Sequence, residues 1–88
     1  MSLEDYRKKI DELDENILDS LRARIDIIED LAEYKKYHKI PIIDHKREEV
    51  LIKKLLDISK KKNLDPDFVK DIYKKILDES KRIQREIF

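Results

Sequence analysis

The stretch Lys39–Glu49, KIPIIDHKREE, decides how this chain folds. Pro41 has no backbone N–H and pushes Ile40 out of the helical region, so a helix arriving from upstream has to end here. Asp44 is a good N-cap for a helix starting at the next residue. Ile40, Ile42 and Ile43 are expected to tuck the short connection inward. The stretch therefore reads as a loop, residues 39–44, with a helix start at its end.

Working outward from it, both flanks are helical by period. Upstream, Leu3, Tyr6, Ile10, Leu13, Ile17, Leu21, Ile28 and Leu31 recur at steps of three, four or seven, the spacing of one helical face. Ser2 with Asp5 three residues later opens that run as a weak capping box. A helix over about 3–38 would be on the order of 50 Å long, more than a globule of this size can cover from one side, and such helices usually run through a dimer or coiled coil. Downstream, the spacing predicts a helix over about 45–62 with Leu51, Leu55 and Ile58 on one stripe. Its closing Lys60, Lys61 and Lys62 suit the helix dipole. Asp65 then caps a last helix that starts at Pro66 and carries Val69, Ile72, Tyr73, Ile76, Leu77, Ile83 and Ile87 to about residue 87. No strand signal competes, so the chain reads as one all-α domain, residues 1–88, of a long, a short and a medium helix.

Composition narrows the function classes. With 88 residues, the core of a single chain would be modest, which again points to a partner chain. The sequence has no Cys, which excludes a disulfide framework and thiolate metal sites. Lys+Arg and Asp+Glu stand at 21 each, so the overall charge gives no reason to expect nucleic acid or an anionic membrane. No apolar run approaches membrane-spanning length, and MSLEDYRKK lacks the apolar core of a signal peptide, so a cytoplasmic protein is the expectation. His38 and His45 fit no metal-ligand spacing and read as surface residues. Tyr34 and Tyr37 read as packing residues, because no basic stripe accompanies them as base stacking would need.

Function shows where polar residues interrupt the apolar stripes. Arg24 and Lys35 occupy inward positions of the series Ile17, Leu21, Arg24, Ile28, Leu31, Lys35, about three turns apart. Ser80 and Gln84 share the inward face of the last helix with Tyr73, Leu77 and Ile87. Glu48 stands one step before Leu51 on the middle helix, with Arg47 alongside. Buried without partners, such groups would cost several kcal/mol each. Two readings follow: an internal network in which Glu48 pairs with Arg24 or Lys35, or a bound anion. The excess of cations and amide donors over one carboxylate favours a small molecule with two negative charges. Arg22 points away by period and reads as a surface residue. Arg7 lies about 25 Å along the helix from Arg24, so it can reach the same ligand only from a second, antiparallel chain.

Taken together, YRKKIDELDENILDSLRAR, AEYKKYHKIPIIDHKREE and ILDESKRIQ resemble the all-helical (AroQ-type) chorismate mutases. The resemblance implies an intertwined helical-bundle homodimer that converts chorismate to prephenate by a pericyclic Claisen rearrangement in phenylalanine and tyrosine biosynthesis, with no cofactor and no metal. It also implies roles. Arg24 would hold one substrate carboxylate and Arg7 of the partner chain the other. Lys35 would contact a carboxylate and the ether oxygen, with Gln84 the second donor to that oxygen. Glu48, helped by the backbone near Asp44, would bind the ring hydroxyl, Ser80 the ring carboxylate, and Arg47 would support that end. An amide at position 84, where some relatives carry Glu, implies a nearly flat activity profile from weakly acidic to neutral pH. Lys81 departs from the apolar neighbour usual in the family. An isochorismate pyruvate lyase of the same fold and a non-catalytic dimerisation module are the alternatives.

Overall fold

The computed structural model describes residues 1–88 as three helices, α1 (Leu3–His38), α2 (His45–Lys61) and α3 (Pro66–Ile87), with no strand. Each starts on a side-chain cap. At α1 the capping box is reciprocal: Asp5 N–H donates to Ser2 Oγ at 3.2 Å and Ser2 N–H to Asp5 Oδ2 at 2.9 Å. Asp44 Oδ1 accepts from the Arg47 N–H at 3.0 Å at the start of α2, and Asp65 Oδ1 from the Asp67 N–H at 3.1 Å at the start of α3. Each cap satisfies one of the N–H groups that the first turn leaves open.

The chain has no glycine, so other residues take the left-handed positions that end helices. Lys39 closes α1 at φ 56°, its N–H reaching the Lys35 and Lys36 carbonyls, and Asn63 adopts φ 55° after α2. The turn out of α1 is thus made at Lys39, two residues before Pro41.

α3 packs against both α1 and α2, while α1 and α2 do not pack on each other. That arrangement changes the loop. Only Ile42 is half-buried; Ile40 and Ile43 stay 39% and 44% exposed, because no second helix wall meets them within one chain.

The single chain buries very little. Ala32, Ser59, Ser80 and Gln84 are its buried residues, and three of those four are polar. Ser59 and Ser80 are satisfied within their helices, Oγ donating to the Leu55 carbonyl at 2.7 Å and the Ile76 carbonyl at 2.9 Å. The radius of gyration is 16.2 Å, against about 12 Å for a compact domain of this length. The long extent of 55 Å is that of α1 itself. Its N-terminal half stands clear of α2 and α3, leaving Leu3, Tyr6, Ile10, Leu13 and Ile17 each more than half exposed. An apolar stripe of this length without cover is a surface built to be buried.

Candidate active site

Where α3 crosses the C-terminal half of α1 and the start of α2, the helices enclose a cavity of about 300 Å³. Its walls combine Ile28, Leu31, Leu51 and Leu77 with the polar residues that interrupt the stripes. Arg24 and Lys35 come from α1, Asp44 from the loop, Arg47 and Glu48 from α2, and Ser80, Lys81 and Gln84 from α3. Arg7 is not among them. It sits on the exposed arm of α1, its guanidinium paired with Glu4 at 3.0 Å.

The three α1 and α2 cations of the cavity keep their charge available. Ion pairs in the chain are formed by Arg7, Arg22, Lys81 and Arg82, not by Arg24, Lys35 or Arg47. Arg24 Nη1 donates instead to Ser80 Oγ, and Lys35 Nζ donates to the Ile42 carbonyl at 2.9 Å. Neutral acceptors orient both groups without neutralising them. A half-buried hollow lined by unneutralised cations concentrates the field and attracts an anion.

Glu48 does not join Arg24 or Lys35 in an internal network. Its Oε1 lies 3.1 Å from Lys81 Nζ. Lys81 is therefore a wall of the cavity and not a solvent-facing neighbour, a placement that the stripe 77, 80, 84 leaves at its edge. The Ile42 carbonyl is the other participant the sequence did not signal, since a backbone group carries no mark of its own.

Gln84 is 4% exposed. Its Nε2 donates to the Ser80 carbonyl at 3.2 Å, and its Oε1 is buried with no partner. The NH₂ carries a second N–H beyond the one given to Ser80, so the residue keeps a donor at the cavity wall.

The remaining candidates lie elsewhere. Arg22 is exposed, bound to Asp26 at 2.7 Å and Glu29 at 3.0 Å, and those carboxylates hold its pKa above the ordinary value. The His38 ring lies tilted against Tyr34 at 4.2 Å and meets Tyr37 edge-on at 5.0 Å, and Tyr34 and Tyr37 remain largely exposed in the single chain. No three His, Cys, Asp or Glu residues converge as a metal site, and no helix is long and apolar enough to cross a membrane.

The sequence pattern of one family, described as chorismate mutase type II, matches residues 6–85. This chain belongs to that family. The matched span includes Arg7 and every residue lining the cavity. Among chorismate mutase relatives, the chain is 32% identical over 84 residues to the chorismate mutase of Methanocaldococcus jannaschii, covering 96% of this chain and 85% of that protein. It is also 32% identical over 82 residues to the bifunctional chorismate mutase/prephenate dehydratase of Buchnera aphidicola subsp. Schizaphis graminum, covering 93% of this chain but only 21% of that larger protein. The 4-amino-4-deoxychorismate mutase of Streptomyces pristinaespiralis is 29% identical over 84 residues, covering 96% of this chain and 65% of that protein.

Proposed function

We propose that the protein is a chorismate mutase acting as a homodimer, converting chorismate to prephenate for phenylalanine and tyrosine synthesis. The observation that carries this reading is the cavity with three cations, Arg24, Lys35 and Arg47, left without carboxylate partners in a chain of the chorismate mutase type II family.

Chorismate is a small dianion with one ether bond to break. In the rearrangement the C–O bond breaks as a C–C bond forms within the same molecule, and no proton or net electron leaves the substrate. Such a reaction asks the protein for two things: to hold the flexible dianion in its compact reactive shape, and to stabilise negative charge developing on the ether oxygen. Arg24, oriented by Ser80, grips one carboxylate through its fork, while Ser80 and Arg47 serve the ring carboxylate. Lys35 reaches a carboxylate and the ether oxygen, and the Gln84 amide, through its second N–H, is the second donor to that oxygen. Glu48 accepts from the ring hydroxyl beside the Asp44 backbone.

Arg7 of the partner subunit completes the charge balance. The uncovered apolar arm of α1 supports a second chain lying antiparallel on it, and such a chain carries its own Arg7 toward the cavity of the first. The same contact would bury Leu3, Tyr6, Ile10, Leu13 and Ile17.

The test is the loss of chorismate absorbance with the purified protein, alongside Arg24→Ala and Lys35→Ala shown to be folded by circular dichroism. Conversion to prephenate that falls about 10²- to 10³-fold in each variant is the expected result. A folded dimer without turnover overturns the assignment, and isochorismate, as substrate of a lyase of the same fold, is then the next compound to assay. A bicyclic dianionic transition-state analogue that leaves the melting temperature unmoved points to a scaffold without a ligand.

A further inference from the structure

Two hollows in this chain share a wall. The cavity of about 300 Å³ and a wider groove of about 730 Å³ between α2 and α3 are both lined by Glu48, Leu77 and Lys81. Lys81 Nζ stands 3.1 Å from Glu48 Oε1 and 3.9 Å from Asp78 Oδ1, and the Lys81 and Glu48 side chains are 23% and 28% exposed. This pair is partly withdrawn from water, so its charges are felt by whatever lies against Glu48.

Of the two carboxylates on the cavity, Asp44 is engaged in capping α2. Glu48 is left as the acceptor for a donor group on a ring. In chorismate that donor is a neutral hydroxyl; in its 4-amino analogue it is an aliphatic amine, protonated at neutral pH. Unpaired, Glu48 would favour the ammonium by direct charge attraction. Paired with Lys81, its charge is already compensated, and an incoming ammonium meets a second cation at close range. A hydroxyl loses little by comparison, because the carboxylate keeps free lone pairs for it.

We infer that Lys81 sets the substrate preference of this site, selecting a ring hydroxyl over a ring ammonium through its ion pair with Glu48. Lys81 acts by way of Glu48 and is a positioning residue. The inference rests on the reading of the cavity as the mutase site, and it deepens that reading by naming the substrate class.

The experiment measures kcat/KM for chorismate and for 4-amino-4-deoxychorismate with the full chain and with Lys81→Met, Lys81→Gln and Lys81→Arg. The unaltered protein should prefer chorismate. Lys81→Met and Lys81→Gln should shift the ratio of the two kcat/KM values toward the amino substrate by about tenfold, the scale for one partly screened charge at close range. Lys81→Arg should keep the original ratio. A ratio unmoved in the neutral variants, an equal loss on both substrates included, overturns the role of Lys81 while leaving the mutase assignment standing. An initial preference for the amino compound overturns both the role of Lys81 and chorismate as the preferred substrate. Turnover of neither substrate by the unaltered protein overturns the mutase assignment, and this inference with it.

Discussion

Arg24 and Ser80, 56 positions apart in the chain, are joined by a hydrogen bond from the Arg24 guanidinium to the Ser80 hydroxyl. That bond ties α1 to α3 at the cavity wall and aims a cation without neutralising it. Removing the hydroxyl should loosen the aim and spare the charge. Ser80→Ala is expected to lower kcat/KM roughly tenfold, mainly through KM, as loss of one hydrogen bond to a charged group implies. The melting temperature should fall modestly as well, because the variant loses the tie that this hydroxyl makes between α1 and α3. Steady-state kinetics beside thermal melts checks both halves.

Lys35 Nζ holds the Ile42 carbonyl, so the role proposed for it in the chemistry would be its second job. Lys35→Ala should cost about 10² to 10³ in kcat and about 1 kcal/mol of stability from the lost loop tether. Urea melts of the variant separate the two effects, and a kcat near that of the original protein would remove Lys35 from the chemistry.

Gln84 predicts the pH profile. An amide donates a hydrogen bond at any pH, so activity should be nearly flat from weakly acidic to neutral solution. In Gln84→Glu only the protonated carboxyl can donate, and burial raises its pKa. Activity of that variant should be highest in acid and fall as pH rises through the carboxyl's pKa. A pH–rate series on both proteins decides the point; a variant with a flat profile would rule out Gln84 as a donor.

Arg7 tests the shared site. Arg7→Ala and Arg24→Ala homodimers should both be nearly inactive. Mixed and allowed to exchange subunits in equal amounts, they should recover about a quarter of full activity, because half the dimers are mixed and each mixed dimer has one intact site. No recovery after exchange, shown by mass spectrometry to be complete, would place Arg7 outside the site. The Arg7 side chain pairs only with Glu4 on the exposed arm, so its removal should leave stability nearly unchanged.

The capping box at α1 has its own acid signature. Hydrogen bonds from the Ser2 backbone and hydroxyl hold the Asp5 carboxyl below the ordinary aspartate value. A depressed carboxyl stabilises the fold above its unfolded pKa, and that contribution is lost as pH falls through the lower folded value. The first turn of α1 should therefore fray more as pH falls through that lowered value, and Ser2→Ala, which keeps the backbone donor, should return Asp5 part of the way to the ordinary value. Carboxyl chemical shifts followed by NMR across the acid range report both.

The helices and their ends were legible in the sequence because their causes are local. A cap such as Asp44 or Asp65 acts on an N–H two or three residues away, and an apolar period describes one face of one helix. The same period put Arg24, Lys35, Glu48, Ser80 and Gln84 on inward faces, and the structure gathers them at one cavity. Arithmetic on helix rise separated Arg7 from them.

What only the tertiary structure decided is pairing between elements. Whether Glu48 meets Lys81 or Arg24 depends on how α3 is rotated and crossed against its neighbours, and no periodicity carries that rotation. The Ile42 carbonyl, the unpartnered end of the Gln84 amide and the exposure of Ile40 and Ile43 arise in the same way, from α3 packing on both other helices while α1 and α2 stay apart. Local chemistry is set by residues within a turn of each other; charge partners are set by side chains that meet only after the helices have docked.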